Sequence, residues 1–392
     1  MAVVPEQFAS LAASPTDSLG PSTFHLDMIQ PRDQNFDESK MSAGNNYRRL
    51  NCHSDIAALN HSCSQGARML HSPTLLLRLS VTWLFLIFIA GCQDLSTTSP
   101  TPATSRIFAG QYPIKVVCTT GPVADMVRNL GGSHLDVTGL MGPGVDPHLY
   151  TAVPADIERL WRADMIFYNG LHLEGRMADQ FDQLAKRRPT FAVTHSLVDS
   201  KDPRLRKPPE FDGYYDPHVW HDPRLWADCV KYVCHVLSEF DPAHREDYVR
   251  NRDSYLAQLE QADRYCREQL QTIPPEQRVL ISTHDAFGYF CIAYGFTSMP
   301  LKGVSTDDEV SIGRMEEVAE FLVSRKIKAV FVETATSPQL MQALIERCRR
   351  SGHEVRNGGA LYADALGPAE SGANTYVGMI KANVDTIVSA LK

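Results

Sequence analysis

The sequence predicts an α/β protein of two lobes, each a mostly parallel sheet flanked by helices, joined by one long rigid helix. Three observations carry this. From Gln111 onward, short continuous apolar runs alternate with helical patterns, the mark of parallel strands covered by helices on both faces. Between Pro223 and about Thr272 the alternation stops and only helical periodicity remains. It then resumes at "VLIST" and continues to the C-terminus.

In order, "IKVVCTT" reads as a buried strand and "GPVADMVRNLGG" as a helix closed by glycine. "LDVTGLM" is a strand, "VPADIERLWRA" a helix, "DMIFYNG" a strand, "GRMADQFDQLAKR" a helix and "TFAVTHS" a strand. The central helical stretch is interrupted at "FDPAH", residues 240–244. Its second piece carries Tyr248, Tyr255, Leu259 and Ala262 in a strongly charged setting, and a helix so polar often bridges two bodies instead of filling one core. "HDAFGYFCIAYG" and "IGRMEEVAEFLVSRK" read as helices, "KAVFVET" as a strand, "SPQLMQALIERCRRSG" as a helix and "HEVRN" as a strand. "NTYVGMIKANVDTIVSALK" closes the chain as a helix. The expected organisation is an N-terminal lobe over residues 111–240, a linking helix over 241–273 and a C-terminal lobe over 274–392.

The 392 residues suffice for about two domains. A hydrophobic share of 43% with 21% charged residues is that of a globular protein, and a net charge of -8 without a basic stripe gives no support to nucleic-acid binding. Upstream of the folded part, "MLHSPTLLLRLSVTWLFLIFIAGC" has Arg68 and Arg78 on the positive side of an apolar run from Leu79 to Ala90. That run is too short for a bilayer core, which needs about 20 residues, and has the length of a signal-peptide apolar region. "IAGC" resembles the bacterial lipobox, so residues 69–91 are expected to be a lipoprotein signal peptide and Cys92 the lipid-carrying residue; a plain anchor helix is the rival reading. Residues 1–68, polar and without sustained periodicity, are either a misassigned start or a disordered extension. The Ser/Thr/Pro-rich stretch after Cys92, residues 92–110, reads as a flexible tether. Six cysteines follow it, most in apolar patterns and without CxxC spacing, so none is assigned to a metal or a specified disulfide.

Four positions stand out for chemistry. "GVDPHLY" and "DPHVWHDP" set His148 and His218 in the same Asp-Pro frame. Proline fixes its own φ and keeps the preceding residue out of the α region, so the following side chain is aimed. His284 follows "VLIST" at a strand's carboxyl end, and Asp364 lies in the loop "GALYADALGP". Loops at the carboxyl ends of parallel strands are where α/β folds bind ligands. The four are 70, 66 and 80 residues apart, two before the long helix and two after. Three imidazoles and a carboxylate form a donor set for one divalent transition metal, and an even split between lobes places the ion in the cleft. Taken singly, a histidine or aspartate at such a position is more often a capping or surface group than a ligand.

Beyond these residues, the chain from about Ile114 to its end resembles the zinc/manganese class of metal-binding lipoproteins that serve bacterial ABC importers. The matching stretches include "GPGVDPHLY", "NGLHLEGRM", "DPHVWHDP", "THDAFGYF", "VFVETATSP", "LYADALG" and "NTYVGMIKANVDTIVSAL". The resemblance implies two lobes joined by a rigid helix, with His148, His218, His284 and Asp364 as ligands of one Mn²⁺ or Zn²⁺ ion. It also implies an extracytoplasmic, lipid-anchored carrier, acting as a monomer and delivering metal to a permease and its ATPase. Two departures stand out. His221 occupies a position that is commonly apolar in the family. The stretch before His218 lacks the His-rich acidic loop of many zinc-dedicated members, which tilts the expectation toward manganese. Donor chemistry pulls the other way, because three neutral imidazoles favour zinc. Around the set, Glu333 and His221 are second-tier candidates, Glu333 as a partner for a ligand's second ring nitrogen. Asp285, His172 and Glu174 follow, with Glu174 read as routine helix-dipole compensation.

The expected role is therefore a carrier and not an enzyme. A zinc metallohydrolase needs an open coordination position and a nearby base, and no HExxH or similar compact motif is present. A metal-binding surface adhesin is a further reading that would coexist with carriage.

Overall fold

The computed structural model describes residues 107–392. The expectations for a signal peptide, for lipidation at Cys92 and for the tether up to residue 106 lie outside the described residues. Among the described residues no helix is long and apolar enough to cross a membrane.

The N-terminal half is built on a parallel sheet in the order β2-β1-β3-β4. Its strands are β1 (Ile114–Cys118), β2 (Leu135–Gly139), β3 (Met165–Tyr168) and β4 (Thr190–Ala192). Helices α1 (Gly121–Gly131), α2 (Pro154–Arg162), α3 (Ala178–Ala185) and α4 (His195–Asp199) connect and flank them. β1 lies between β2 and β3, so the winding reverses between β1 and β3, the kind of point where α/β sheets bind ligands at the carboxyl ends of their strands. Strand burial explains the continuous apolar runs: Ile114, Val116, Cys118, Met165, Ile166 and Phe167 are inaccessible or nearly so.

Two helices then carry the chain across. α5 (Pro223–Phe240) starts on Pro223, with the Asp222 side chain accepting from Arg224 N at 2.9 Å. Proline at the first helical position behind an aspartate cap is a strong start signal. After a short turn over Pro242–His244 comes α6 (Arg245–Leu270), inside the expected 241–273. It joins the two halves as expected, and unlike the expectation for so polar a helix it also fills a core. Tyr248, Tyr255, Leu259, Ala262, Cys266 and Leu270 form a buried seam that packs on α5, on α1 and on the last helix. Each of its larger apolar side chains contributes roughly 1.5–3 kcal/mol on burial. The seam belongs to one apolar core running from Ile114 in the first half to Leu391 in the second. The halves are therefore joined by a shared core as well as a connecting rod.

The C-terminal half holds β5 (Val279–Leu280), α7 (Gly288–Tyr294), β6 (Thr297–Ser298), α8 (Ile312–Arg325), β7 (Ala329–Glu333), α9 (Gln339–Arg350), β8 (Arg356–Leu361) and α10 (Tyr376–Leu391). β5 pairs with β6 and β7 with β8, all parallel, and Phe331 N donates to Ile281 O at 3.0 Å to link the two pairs. Among the departures from the sequence expectation are two in this half. The helix expected from His284 begins only at Gly288, which leaves His284 in a turn. The strand expected at "HEVRN" is shifted to Arg356–Leu361 and runs through Gly358 and Gly359, the latter at φ +123° beside a register shift opposite Val330 and Val332. A paired glycine in that backbone region reads as loop in a sequence and as a bulge in a sheet.

Candidate metal centre

All four predicted donors converge. The ligand atoms offered by His148, His218, His284 and Asp364 lie within 4.8 Å of one another, and all four residues are buried. His148 Nε2 is 3.2 Å from His218 Nε2, and His284 Nε2 is 3.3 Å from the same atom. Asp364 Oδ1 is 3.3 Å from His218 Nε2 and its Oδ2 is 3.3 Å from His284 Nε2. A four-coordinate zinc with bonds of about 2.0–2.1 Å holds its ligand atoms about 3.3–3.4 Å apart. These separations have the dimensions of a coordination shell.

The repeated Asp-Pro-His frame has a local explanation. In each copy the aspartate accepts the backbone N–H of its histidine, Asp146 Oδ1 from His148 N and Asp216 Oδ1 from His218 N, both at 2.9 Å. The side chain closes a small turn over the proline and fixes where the ring leaves the backbone. The copies then diverge. Asp216 Oδ1 also accepts from His218 Nδ1 at 2.8 Å, whereas Asp146 Oδ2 accepts from Thr306 Oγ1 at 2.6 Å, across to the C-terminal half.

His284 is held by Glu333 at the end of β7. Its Nδ1 lies 2.6 Å from Glu333 Oε2, and Glu333 Oε1 accepts the N–H groups of Thr283 and His284 at 2.8 and 3.0 Å. With Nδ1 donating to a carboxylate in both His218 and His284, each ring turns its Nε2 to the same point, bare whenever the ring is neutral. Two facing lone pairs repel unless a proton or a cation sits between them. Both oxygens of Asp364 are buried and face the Nε2 atoms of His218 and His284 at 3.3 Å; with those rings neutral the carboxylate has no donor, a costly state that a cation relieves.

The electrostatics agree. Burial works against charging His218 and His284, but the Asp216 and Asp364 carboxylates on one ring, and Glu333 and Asp364 on the other, hold both above the ordinary imidazole range. Burial would raise Asp364, yet the two imidazoles hold it well below the usual carboxylate range. His148 goes the other way: burial lowers it to about 3, which leaves it a neutral donor.

His221 is not among the converging groups. Its Nε2 donates to Ala363 O at 2.9 Å, beside Trp220 Nε1 donating to the same oxygen at 2.9 Å, and its Nδ1 is buried without a partner. The turn that follows His218 thus grips the carbonyl just ahead of Asp364. Glu174 also departs from the sequence reading as dipole compensation. It is buried, accepting from Thr119 Oγ1 at 2.6 Å and Asn169 N at 2.7 Å, while Asn169 Nδ2 donates to Pro217 O at 3.1 Å. It therefore braces the second Asp-Pro-His frame from behind. Asp285 meets Arg206, and His172 adopts φ +68° and stacks on Tyr214 at 4.2 Å, away from the donor cluster. Arg206, Asn169 and Thr306 are among the site residues that sequence reasoning missed; no local signal marks any of them.

Comparison with known proteins agrees with this geometry. Residues 116–390 match the family model described as zinc-uptake complex component A, periplasmic. The chain is 43% identical to the zinc-binding protein TroA of Treponema pallidum over 276 residues, which cover 70% of this chain and 88% of that protein. It is 39% identical to the manganese-binding lipoprotein MntA of Bacillus subtilis over 280 residues, 71% of this chain and 90% of that one. The solved structure of the periplasmic zinc-binding protein TroA superposes with a TM-score of 0.68 at 43% identity, covering 71% of this chain and 99% of that chain. The chain belongs to the family of periplasmic zinc-uptake component A proteins.

Proposed function

We propose that this protein is the extracytoplasmic metal-binding component of an ABC importer. It captures one divalent transition metal, Mn²⁺ or Zn²⁺, between its two halves and passes it to a membrane permease driven by an ATPase. The observation that carries the reading is the convergence of three imidazole nitrogens and one buried carboxylate at coordination spacing. His148, His218, His284 and Asp364 are the proposed ligands. Glu333 and Asp216 orient two of the rings, as carboxylates behind metal-bound histidines generally do. The relatives named as zinc-binding and manganese-binding proteins support the cargo class. Residue chemistry supports the lack of catalysis, since four protein donors close a tetrahedral shell and leave no position for an attacking water. The apolar run ending in "IAGC", together with relatives named as lipoproteins, supports a lipid anchor at Cys92.

Metal content after purification without chelators tests the reading. One zinc or manganese ion per chain, lost in the His148→Ala/His284→Ala variant, is the expected result; full metal content in that variant overturns it.

A further inference from the structure

One cation lies behind the ligand set and touches both halves of the protein. Arg206 sits in the loop between α4 and α5. Its Nη1 pairs with Asp216 Oδ2, and its Nη2 lies 2.7 Å from Asp285 Oδ2. Asp216 is the carboxylate that holds His218, and Asp285 directly follows His284. The pairing is shielded: the Asp216 and Asp285 side chains are 0% and 6% exposed and Arg206 is 20% exposed. Tyr289, in α7, fixes the same loop by accepting from Arg206 N at 3.0 Å and donating to Asp216 O at 2.9 Å.

The space is shaped for the guanidinium. Gly288 opens α7 beneath it, and a methyl group at that position would overlap Nη1 and Cζ of Arg206. A planar fork that engages two carboxylates at once is a task for arginine; a lysine ammonium reaches them only as a point charge.

We infer that Arg206 is a positioning residue acting as an inter-half latch: by bridging Asp216 and Asp285 it ties the His218 arm to the His284 turn and slows metal release. The inference rests on the carrier reading above. Opening the halves separates the guanidinium from one carboxylate and leaves that buried charge unpaired, which opposes opening. The latch touches no metal, so it acts on the lifetime of the closed state and not on the identity of the donors.

The test is chelator-driven release of Zn²⁺ from the full chain, followed by stopped flow, for Arg206→Ala, Gly288→Ala and the double variant. Gly288→Ala removes no charge and displaces the guanidinium by bulk alone, so it carries the test even where Arg206→Ala fails to fold. Each single variant is expected to release zinc roughly tenfold faster, the scale typical of outer partners of metal ligands. The double variant is expected to be no faster than the faster single one, and Arg206→Lys to recover part of the loss. Unchanged release in Gly288→Ala, or effects that multiply in the double variant, overturns the latch. Wild-type protein that binds no zinc or manganese overturns the carrier reading instead, and the latch with it.

Discussion

Glu333 closes the end of β7 directly under His284, with Oε2 2.6 Å from the ring Nδ1 and Oε1 accepting two successive backbone N–H groups. One carboxylate thereby sets both the turn and the ring orientation of the third imidazole. Glu333→Gln keeps the shape and removes the charge. It is expected to weaken Zn²⁺ binding roughly 10–100-fold while one-to-one stoichiometry persists. Titration calorimetry reads both quantities, and unaltered affinity would show that the Glu333 charge does not matter.

Metal binding is expected to release protons near neutral pH. His218 and His284 titrate above the ordinary imidazole range because neighbouring carboxylates outweigh burial. Below those raised values protons compete with the cation, so affinity falls as pH falls; above them the competition ends and affinity levels off. His148, lowered to about 3 by burial, adds no competing proton. Calorimetry at pH 7 in buffers of different ionisation enthalpy checks this, since identical apparent enthalpies would mean that no proton leaves.

His221 divides two accounts of the second frame. As a grip on Ala363 it shares its work with Trp220, so His221→Leu is expected to change zinc affinity less than about tenfold. The substitution also removes a buried nitrogen that has no partner. Were His221 a ligand, the same variant would lose binding by several orders of magnitude in a competition assay.

Metal removal is expected to lower thermal stability, because a cation that binds only the folded chain stabilises it by about 4 kcal/mol at a thousandfold excess over Kd. Scanning calorimetry with and without zinc should show a clear upward shift for the native sequence and none for Asp364→Ala. An equal shift in that variant would locate the stabilising ion elsewhere.

Much of the site was legible because it is local in sequence. The Asp-Pro-His repeat announces an aimed ring, and the hydrogen bonds that Asp146 and Asp216 accept from the backbone N–H groups of His148 and His218 are two-residue turns that spacing alone encodes. Glu333 was readable as a carboxylate at a strand end. What stayed hidden is long-range. Glu174 looks like a helix-start residue until folding buries it against Thr119, 55 residues away. Arg206 lies in a mixed-charge loop, and nothing before folding says that Asp216 and Asp285 will flank it. The long helix was legible as the connection between the halves, but its charged surface hid that the narrow seam from Tyr248 to Leu270 also joins them into one core.

The most direct test of the central claim is a crystal structure of the zinc-loaded or manganese-loaded protein with anomalous scattering recorded at the metal edge. The account predicts a single peak bonded to Nε2 of His148, His218 and His284 and to the Asp364 carboxylate, at about 2.0–2.2 Å for zinc. A peak elsewhere, or one that leaves two of these four side chains outside bonding distance, would contradict it.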